Sequence, residues 1–556
     1  EPLLRLAPDT MTHTLPAGRL GLLLLALCGV LLAWSTAWPW GGMPLWWLQP
    51  LVLAVAVWLL ARSVSPIDSP RQRFRRGFRR GWLLATVWLA STFWWLYISM
   101  HVYGGMLSGV AALAVLLLAG ALALYYALAC GLWLALQGPT RAGGSLLFAA
   151  LWLLAELCRG VLFTGFPWGA LGYAHVEGPL AGWAPWIGVY GIGFLACWLA
   201  ALLALRQLHG RNASVRQGLL TSATVVLLLF AGIALREGVN PGLTTPAGDK
   251  PLGVELMQGN IPQDEKFVPS GGIEAALVWY GEQLAAAQAP LVLLPETALP
   301  ILPTQLPPGY WQAMQQRFAM GEQAALIGTP AGTFETGLAN AVVGMVPGGA
   351  VLSGSQPLSE VLMPPSSQPE YRYLKQHLVP FGEFVPYGFQ WFVDMMVMPL
   401  GNFLRGDANQ PRLLWQGQRI QPNICYEDLF GEELAVSFTD PGQAPTILAN
   451  VSNIAWFGDS VAIDQHRHIS RMRAMELGRP MLRATNTGST AIIDHLGQVQ
   501  QELPRLERGV LRGQVQGREG LTPFARWAGQ LGLWPLWLLG AALLALFALR
   551  PSRPRG

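Results

Sequence analysis

Cys425 stands in the stretch QPNICYEDLF, residues 421–430, where a thiol closes a strand-like run and Glu427 and Asp428 follow at once. A thiol at a strand's end, facing a pocket with an acid and a lysine nearby, is a candidate acyl-accepting nucleophile. Packed among apolar neighbours, the same thiol is an inert structural residue. Its distribution separates it from the other cysteines: Cys28, Cys130, Cys158 and Cys197 lie in strongly apolar runs, and Cys425 lies in the more polar part of the chain. Exported to an oxidising compartment, it has no nearby partner for a disulfide, and a free thiol there is a liability unless it reacts usefully. Glu296 ends the apolar run LVLLPETALP, and partial desolvation there is expected to raise its pKa toward that of a general base. Lys375 lies in YRYLKQHLVPFGEFVPYG, where an ammonium beside an apolar patch can meet an oxyanion or hold a thiolate. Glu383 follows in the same segment. Singly, a strand-end glutamate or a loop lysine is usually structural or solvated. Together they supply a base, a cation and a nucleophile.

The elements that must position these residues belong to two kinds of sequence. Of 556 residues, 52% are hydrophobic, 12% are charged and 24 are tryptophan, with a mean hydropathy of +0.36. That balance fits a polytopic membrane protein with an attached soluble part. The net charge of +4 is small, and the arginines cluster beside apolar runs rather than in a basic and aromatic stripe suited to nucleic acid. Residues 1–18, with Met11 among them, form a polar N-terminal extension. Apolar runs follow at 19–37, 44–62, 81–100, 107–136, 145–163, 186–206 and 218–236, with another at 531–549. Each matches the ~20 helical residues that cross ~30 Å of hydrocarbon. The expectation is a membrane α-helical bundle of about eight transmembrane helices, seven within 19–236 and an eighth at 531–549, with a basic tail at 550–556. Arg71, Arg73, Arg75, Arg76, Arg79 and Arg80 fall in the loop expected after the second helix, and Arg206, Arg211, Arg216, Arg550, Arg553 and Arg555 share that side. The positive-inside rule makes that side the cytoplasm, so residues 237–530 are expected outside it.

Within 237–530 the apolar runs shorten. GVELMQGNI, APLVLLPETA, AALIGTP, LANAVVGMV, PTILANVSN and TAIIDHLG read as buried strands, and IEAALVWYGEQLAAAQ and QHRHISRMRAMELGRP as helices. The alternation predicts an exported α/β domain. The apolar segment Gln390–Arg405, QWFVDMMVMPLGNFLR, reads either as a core helix or as an arm dipping into the bilayer surface. Charged residues inside the spans would favour a transporter. The spans offer Glu156 and Arg159, expected to pair with each other at one turn's spacing.

PET after a buried strand, YLKQHLVPFGEFVP and NICYED resemble the Glu–Lys–Cys signatures of the carbon–nitrogen hydrolase (nitrilase) superfamily. Set among membrane helices, and with FWWLYISMHVYGGM near 93–106, FTGFPWGALGYA near 163–174 and NVSNIAWFGDS at 450–460, they resemble the apolipoprotein N-acyltransferase family. The likeness covers most of the chain from about residue 80. It implies a nitrilase-like αββα sandwich in which Cys425 is the nucleophile, Glu296 the general base and Lys375 the oxyanion stabiliser. Glu383, Tyr426 and Glu427 match further positions important in the family. Where members often carry a tryptophan after the QGNIPQ-type segment, this chain has Phe267 after Lys266, which implies a retained lipid-facing or lid contact. The implied reaction moves an acyl group from a membrane phospholipid, through a Cys425 thioester, to the α-amine of diacylglyceryl-cysteine in apolipoproteins, with no cofactor or metal. The implied location is the inner membrane, with the catalytic domain in the periplasm. A membrane-tethered amidase or nitrilase would use the same three residues and pass the acyl group to water.

Overall fold

The structure, a computed structural model, describes residues 18–65, 67–136, 143–209, 215–333, 335, 337–349, 371–395 and 403–548. Leucine- and alanine-rich sequence forms the membrane helices. Among the described residues, five are long and apolar enough to cross a bilayer: Arg19–Thr36, Ser108–Leu136, Gly144–Thr164, Pro179–Leu208 and Gly218–Gly242. Leu48–Ala61 is apolar but shorter, at 14 residues. Two further apolar stretches are bent, Pro70–Phe93 into Leu96–Tyr103 by 60° and Pro523–Leu531 into Trp534–Ala548 by 87°. The first bend falls inside the span expected at 81–100, whereas the helix expected at 531–549 is present as Trp534–Ala548, entered through the second bend.

The arginine-rich segment expected as a loop is helical. Ser69 and Gln72 cap each other's backbone N–H groups, at 3.3 and 2.8 Å, and Pro70 takes the first helical position. A Ser-x-x-Gln box with proline at the start is a strong helix N-terminus, and it places Arg71 to Arg80 on the first turns of Pro70–Phe93. Glu156 and Arg159 do not pair as expected. Glu156 accepts from the Leu171 N–H at 2.9 Å, while Arg159 donates to the Tyr126 hydroxyl and to the Phe166 and Trp168 carbonyls. Both side chains stitch the 162–171 segment to the helices.

The remainder is a two-sheet sandwich. One six-stranded sheet runs, edge to edge, Gly509–Val515, Leu252–Gln258, Leu291–Leu293, Ala324–Thr333, Gly337–Met345 and Tyr371–Leu374; the other runs Val499–Glu502, Ala491–Ile493, Met481–Thr485, Ile447–Ser452, Gln418–Ile424 and Leu413–Trp415. Side chains alternate across each strand. Val254, Leu256, Leu291 and Leu293 meet Ile447, Ala449 and Val451 between the sheets. Met257 and Val292 turn outward onto helices Glu274–Ala286 and Tyr310–Met320. On the far side Leu448 and Met481 pack against Ala474, Leu477 and Phe524, completing the αββα layering. The strands read from sequence are all present; Tyr371–Leu374, Leu413–Trp415, Met481–Thr485, Val499–Glu502 and Gly509–Val515, not foreseen there, join them.

Helix Ala462–Leu477 is the hinge pin between sandwich and membrane helices. Every residue in it except Arg467 is buried. Its Gln465 Oε1 accepts from the indoles of Trp95 and Trp168, at 3.0 and 2.8 Å. Its Glu476 accepts from the Val189 N–H at 2.6 Å. That bond caps the membrane helix where it restarts after Gly188, at φ 67°. A Cβ on Gly188 would lie 2.4 Å from Phe524, so glycine is required there both for its backbone angle and for the close approach.

Candidate active site

Each candidate residue leaves the end of a strand, and the strands bring those ends together. Glu296 follows Leu291–Leu293, Lys375 follows Tyr371–Leu374, and Cys425 follows Gln418–Ile424. Within each sheet the central strands run parallel, and the C-terminal edge of parallel strands is where α/β folds form sites. Three non-glycine residues here adopt left-handed backbone: Thr297 at φ 47°, Phe381 at φ 63° and Cys425 at φ 52°. Such conformations cost about 1–3 kcal/mol each and persist only where the surroundings enforce them.

Lys375 is the centre of the charge cluster. Its Nζ donates to Glu383 Oε1 at 2.9 Å and to Glu296 Oε1 at 3.4 Å. Asn340 Nδ2 bridges the same two oxygens, at 2.6 Å to Glu296 and 2.9 Å to Glu383. The other oxygens are held by backbone, Glu296 Oε2 by the Asn453 N–H and Glu383 Oε2 by the Val379 N–H, both at 2.8 Å. Burial pulls the Lys375 pKa down, but the carboxylates of Glu383 and Glu296 outweigh it and hold the ammonium above the ordinary lysine range. Burial alone would raise the Glu296 pKa; Lys375, Asn340, Lys266 and the Asn453 N–H reverse that and hold it below the usual carboxylate range. The expectation of a raised Glu296 is thus overturned: the strand-end position does bury it, but two cations and two hydrogen bonds favour its charge. Burial, then the Glu296 charge, push the Cys425 thiol well above its ordinary value, with Lys375 opposing them. The resting cluster is an ionised glutamate, a charged lysine and a protonated thiol.

Cys425 is fixed from behind. Its carbonyl accepts from Asn450 Nδ2 at 3.3 Å and from His466 Nε2 at 3.2 Å. Arg483 has only donors, and it reaches His466 Nδ1 at 2.8 Å. The imidazole proton therefore sits on Nε2, which also faces Asp428 at 2.9 Å. Burial, with the Arg483 charge, lowers the ring's pKa and keeps it neutral.

Glu427 and Tyr426 have separate surroundings. The Glu427 carboxylate accepts from the Ile424 N–H at 2.5 Å, the Gln376 N–H at 2.6 Å, the His377 N–H at 3.3 Å and the Tyr373 hydroxyl at 3.0 Å. It ties the Cys425 turn to the Lys375 segment. Burial pushes its pKa up to about 7 against these donors. Tyr426 donates to the Gly165 carbonyl at 2.9 Å and His377 Nε2 lies 3.0 Å from the Thr164 carbonyl, so this end of the sandwich is docked on the membrane-side loop. Phe267 is 45% exposed. Of the apolar segment Gln390–Arg405, residues 396–402 lie outside the described residues. Gln390–Val393 forms a single helical turn, Val393 packs with Met106 and Ala111, and Trp391 is exposed.

The sequence did not single out Asn340, Asn453, Lys266 or His466. Asn340 had a readable sign, a buried amide inside the apolar run LANAVVGMV; the others gain their place through contacts between distant strands and turns.

A two-sheet domain with a Glu–Lys–Cys cluster at its strand ends is that of a carbon–nitrogen hydrolase, and residues 203–523 match the carbon–nitrogen hydrolase family model. Residues 28–202 match the model of the apolipoprotein N-acyltransferase N-terminal domain. The chain is 52% identical over 519 residues to the apolipoprotein N-acyltransferase of Verminephrobacter eiseniae, covering 91% of this chain and 92% of the relative. It is 44% identical to that of Ralstonia nicotianae, covering 92% and 90%. A solved structure, the C. elegans NitFhit protein, aligns with 48% of this chain and 61% of its own at 13% identity and a TM-score of 0.32. The chain belongs to the apolipoprotein N-acyltransferase family.

Proposed function

We propose that this membrane protein transfers a fatty acyl group from a phospholipid, through a thioester on Cys425, to the N-terminal α-amine of diacylglyceryl-cysteine in apolipoproteins, the last step of their maturation. The observation that carries this reading is where the charge cluster lies. Cys425, under the charges of Glu296 and Lys375, is at the end of the sandwich docked on the membrane helices through Tyr426 and His377. Both substrates hold their reacting groups at the lipid–water boundary, and a nucleophile at the helix-docked end of the sandwich suits that boundary.

In the first half-reaction Glu296 takes the thiol proton as the sulfur attacks the ester carbonyl. The oxyanion forms beside Lys375, the C–O bond breaks, and the lysophospholipid leaves with the proton from Glu296. In the second, the α-amine attacks the thioester, Glu296 takes its proton, and the departing thiolate recovers one. An amide and the free thiol result. Glu383 holds Lys375, Asn340 bridges Glu296 and Glu383, and Glu427 and Tyr426 hold the nucleophile's turn; Phe267 is assigned a lipid-facing contact. The arginines of residues 71–80 favour the cytoplasmic side for that helix end. Eight crossings of the inner membrane, including the two bent stretches and Leu48–Ala61, would put the sandwich in the periplasm.

Purified protein given phospholipid and no acceptor is expected to gain a fatty-acyl mass on Cys425, released by neutral hydroxylamine and absent in Cys425→Ala. Adding a diacylglyceryl-cysteine peptide should clear the adduct and yield N-acyl peptide. Steady release of free fatty acid with no lasting adduct would overturn the transferase in favour of a tethered hydrolase.

A further inference from the structure

Lys266 is a second buried lysine beside Glu296, and the steps above leave it without a part. It is 2% exposed, although its neighbours Asp264, Glu265, Phe267 and Val268 are exposed. A lysine stays inside only where its ammonium is held. Here Nζ donates to Thr297 Oγ1 at 2.7 Å and to the Glu296 carbonyl at 3.2 Å. Both acceptors belong to the turn in which Thr297 is left-handed, directly after Glu296. The segment carrying Lys266 is pinned in turn: the Ile261 N–H donates to Asn486 Oδ1 at 3.0 Å, and Gln263 Oε1 accepts from Asn453 Nδ2 at 2.9 Å. Asn453 is the residue whose N–H holds Glu296 Oε2.

We propose that Lys266 is a positioning residue for acyl-enzyme formation: it locks the left-handed turn after Glu296 and gives that carboxylate a second positive neighbour. The inference rests on the reading of Glu296 as the base for Cys425. Lys375 grips the carboxylate itself, whereas Lys266 acts from the peptide side. The charged and titratable groups around the two are Glu296 and Cys425 facing Lys266, Lys375 facing Glu296, and Glu383 behind Lys375; Asp264 and Glu265, on Lys266's own turn, are exposed. Burial pulls the Lys266 pKa down to about 7, against the charges of Glu296 and Cys425.

The test is single-turnover formation of acyl-Cys425 from phospholipid by the full-length protein, followed across the acid and neutral pH range. Lys266→Met, or Lys266→Gln if the apolar change fails to fold, is expected to slow it by about 10- to 100-fold at neutral pH. The same variant should move the acid limb up by about one pH unit, because a nearby charge of opposite sign normally lowers a carboxyl pKa by about that much or more. Lys266→Arg keeps the charge and should return the acid limb to its native position. Thr297→Val keeps the ammonium and loses its anchor, so it should be slower with the acid limb unmoved. A neutral variant with the native acid limb, fast or slow, overturns the proposal, since a space-filling residue lowers the rate equally at every pH. If the native protein forms no adduct at any pH, the acyl-transfer reading itself falls and the inference with it.

Discussion

Removing Lys375 from between Glu296 and Glu383 would leave two buried carboxylates facing each other across one asparagine. Breaking a buried ion pair from one side typically costs about 3–5 kcal/mol, because the remaining charge has nowhere to go. Lys375→Ala is therefore expected to lose stability on that scale in thermal unfolding. Its acyl-enzyme formation should slow by about 10²–10³, the usual loss for one oxyanion donor. A variant with native melting and native rate would contradict both roles. Glu296 makes the opposite point about pH. Its folded pKa lies below the ordinary carboxylate value, so the stability it contributes is fully present above that value and is lost as pH falls through the folded one. With Glu296 in its proposed role as base, the ionised form the reaction needs survives over the same window. Native thioester formation should therefore persist into acid where an unperturbed glutamate would already be protonated, and Glu296→Gln should form no thioester at any pH while remaining folded. An acid limb at or above the ordinary glutamate range would show that another group is the base.

At the scale of elements, Glu427 is the staple between two loops. Four donors converge on it from the Cys425 turn and from the end of the Lys375 strand. Glu427→Ala leaves those donors unmet in a buried place, at about 1–3 kcal/mol each where water cannot replace it. The expected result is slower acylation with an unchanged acid limb, since the base is untouched, and partial rescue by Glu427→Gln. A shift of the limb would mean that Glu427 carries a proton in the reaction. The local frames of Glu296 and Cys425 were legible in sequence because each ends a strand-like run, which is how a strand delivers a side chain to a sheet's edge; Lys375 was read only beside an apolar patch, since the short strand Tyr371–Leu374 before it carries no apolar run. The asparagines and Lys266 were not, because their partners lie on other strands and turns far along the chain. The start of Pro70–Phe93 was readable as Ser69-x-x-Gln72 with Pro70, yet the density of arginine there suggested a loop. Capping decides where a helix begins, and charge only decides what that beginning faces.

At the scale of the molecule, sandwich and helices share one continuous core: Tyr426, Phe430, Ile454 and Met472 pack in the same cluster as Trp95, Phe166 and Trp168. The Cys425 turn is thus built partly on residues that also pack among the membrane helices, so, on the proposed role of Cys425, how well the helices are folded bears on the chemistry. The arginine-rich helix end has its own consequence. A helix N-terminus carries about half a positive charge, and Pro70–Phe93 has no acidic residue in its first turn. Arg71 to Arg80 add six cations of the same sign there, with Asp68 pairing Arg76 at 2.6 Å. Lipid phosphates of the adjoining leaflet are the natural counter-charge, and juxtamembrane basic residues gain about 1 kcal/mol each from an anionic surface. Amide hydrogen exchange over residues 70–80 should therefore slow as anionic phospholipid is added to neutral bilayers; protection indifferent to that fraction would show that the chain balances the charge unaided. Leaflet charge then acts as a folding variable, setting how many turns of this helix are wound before it enters the hydrocarbon.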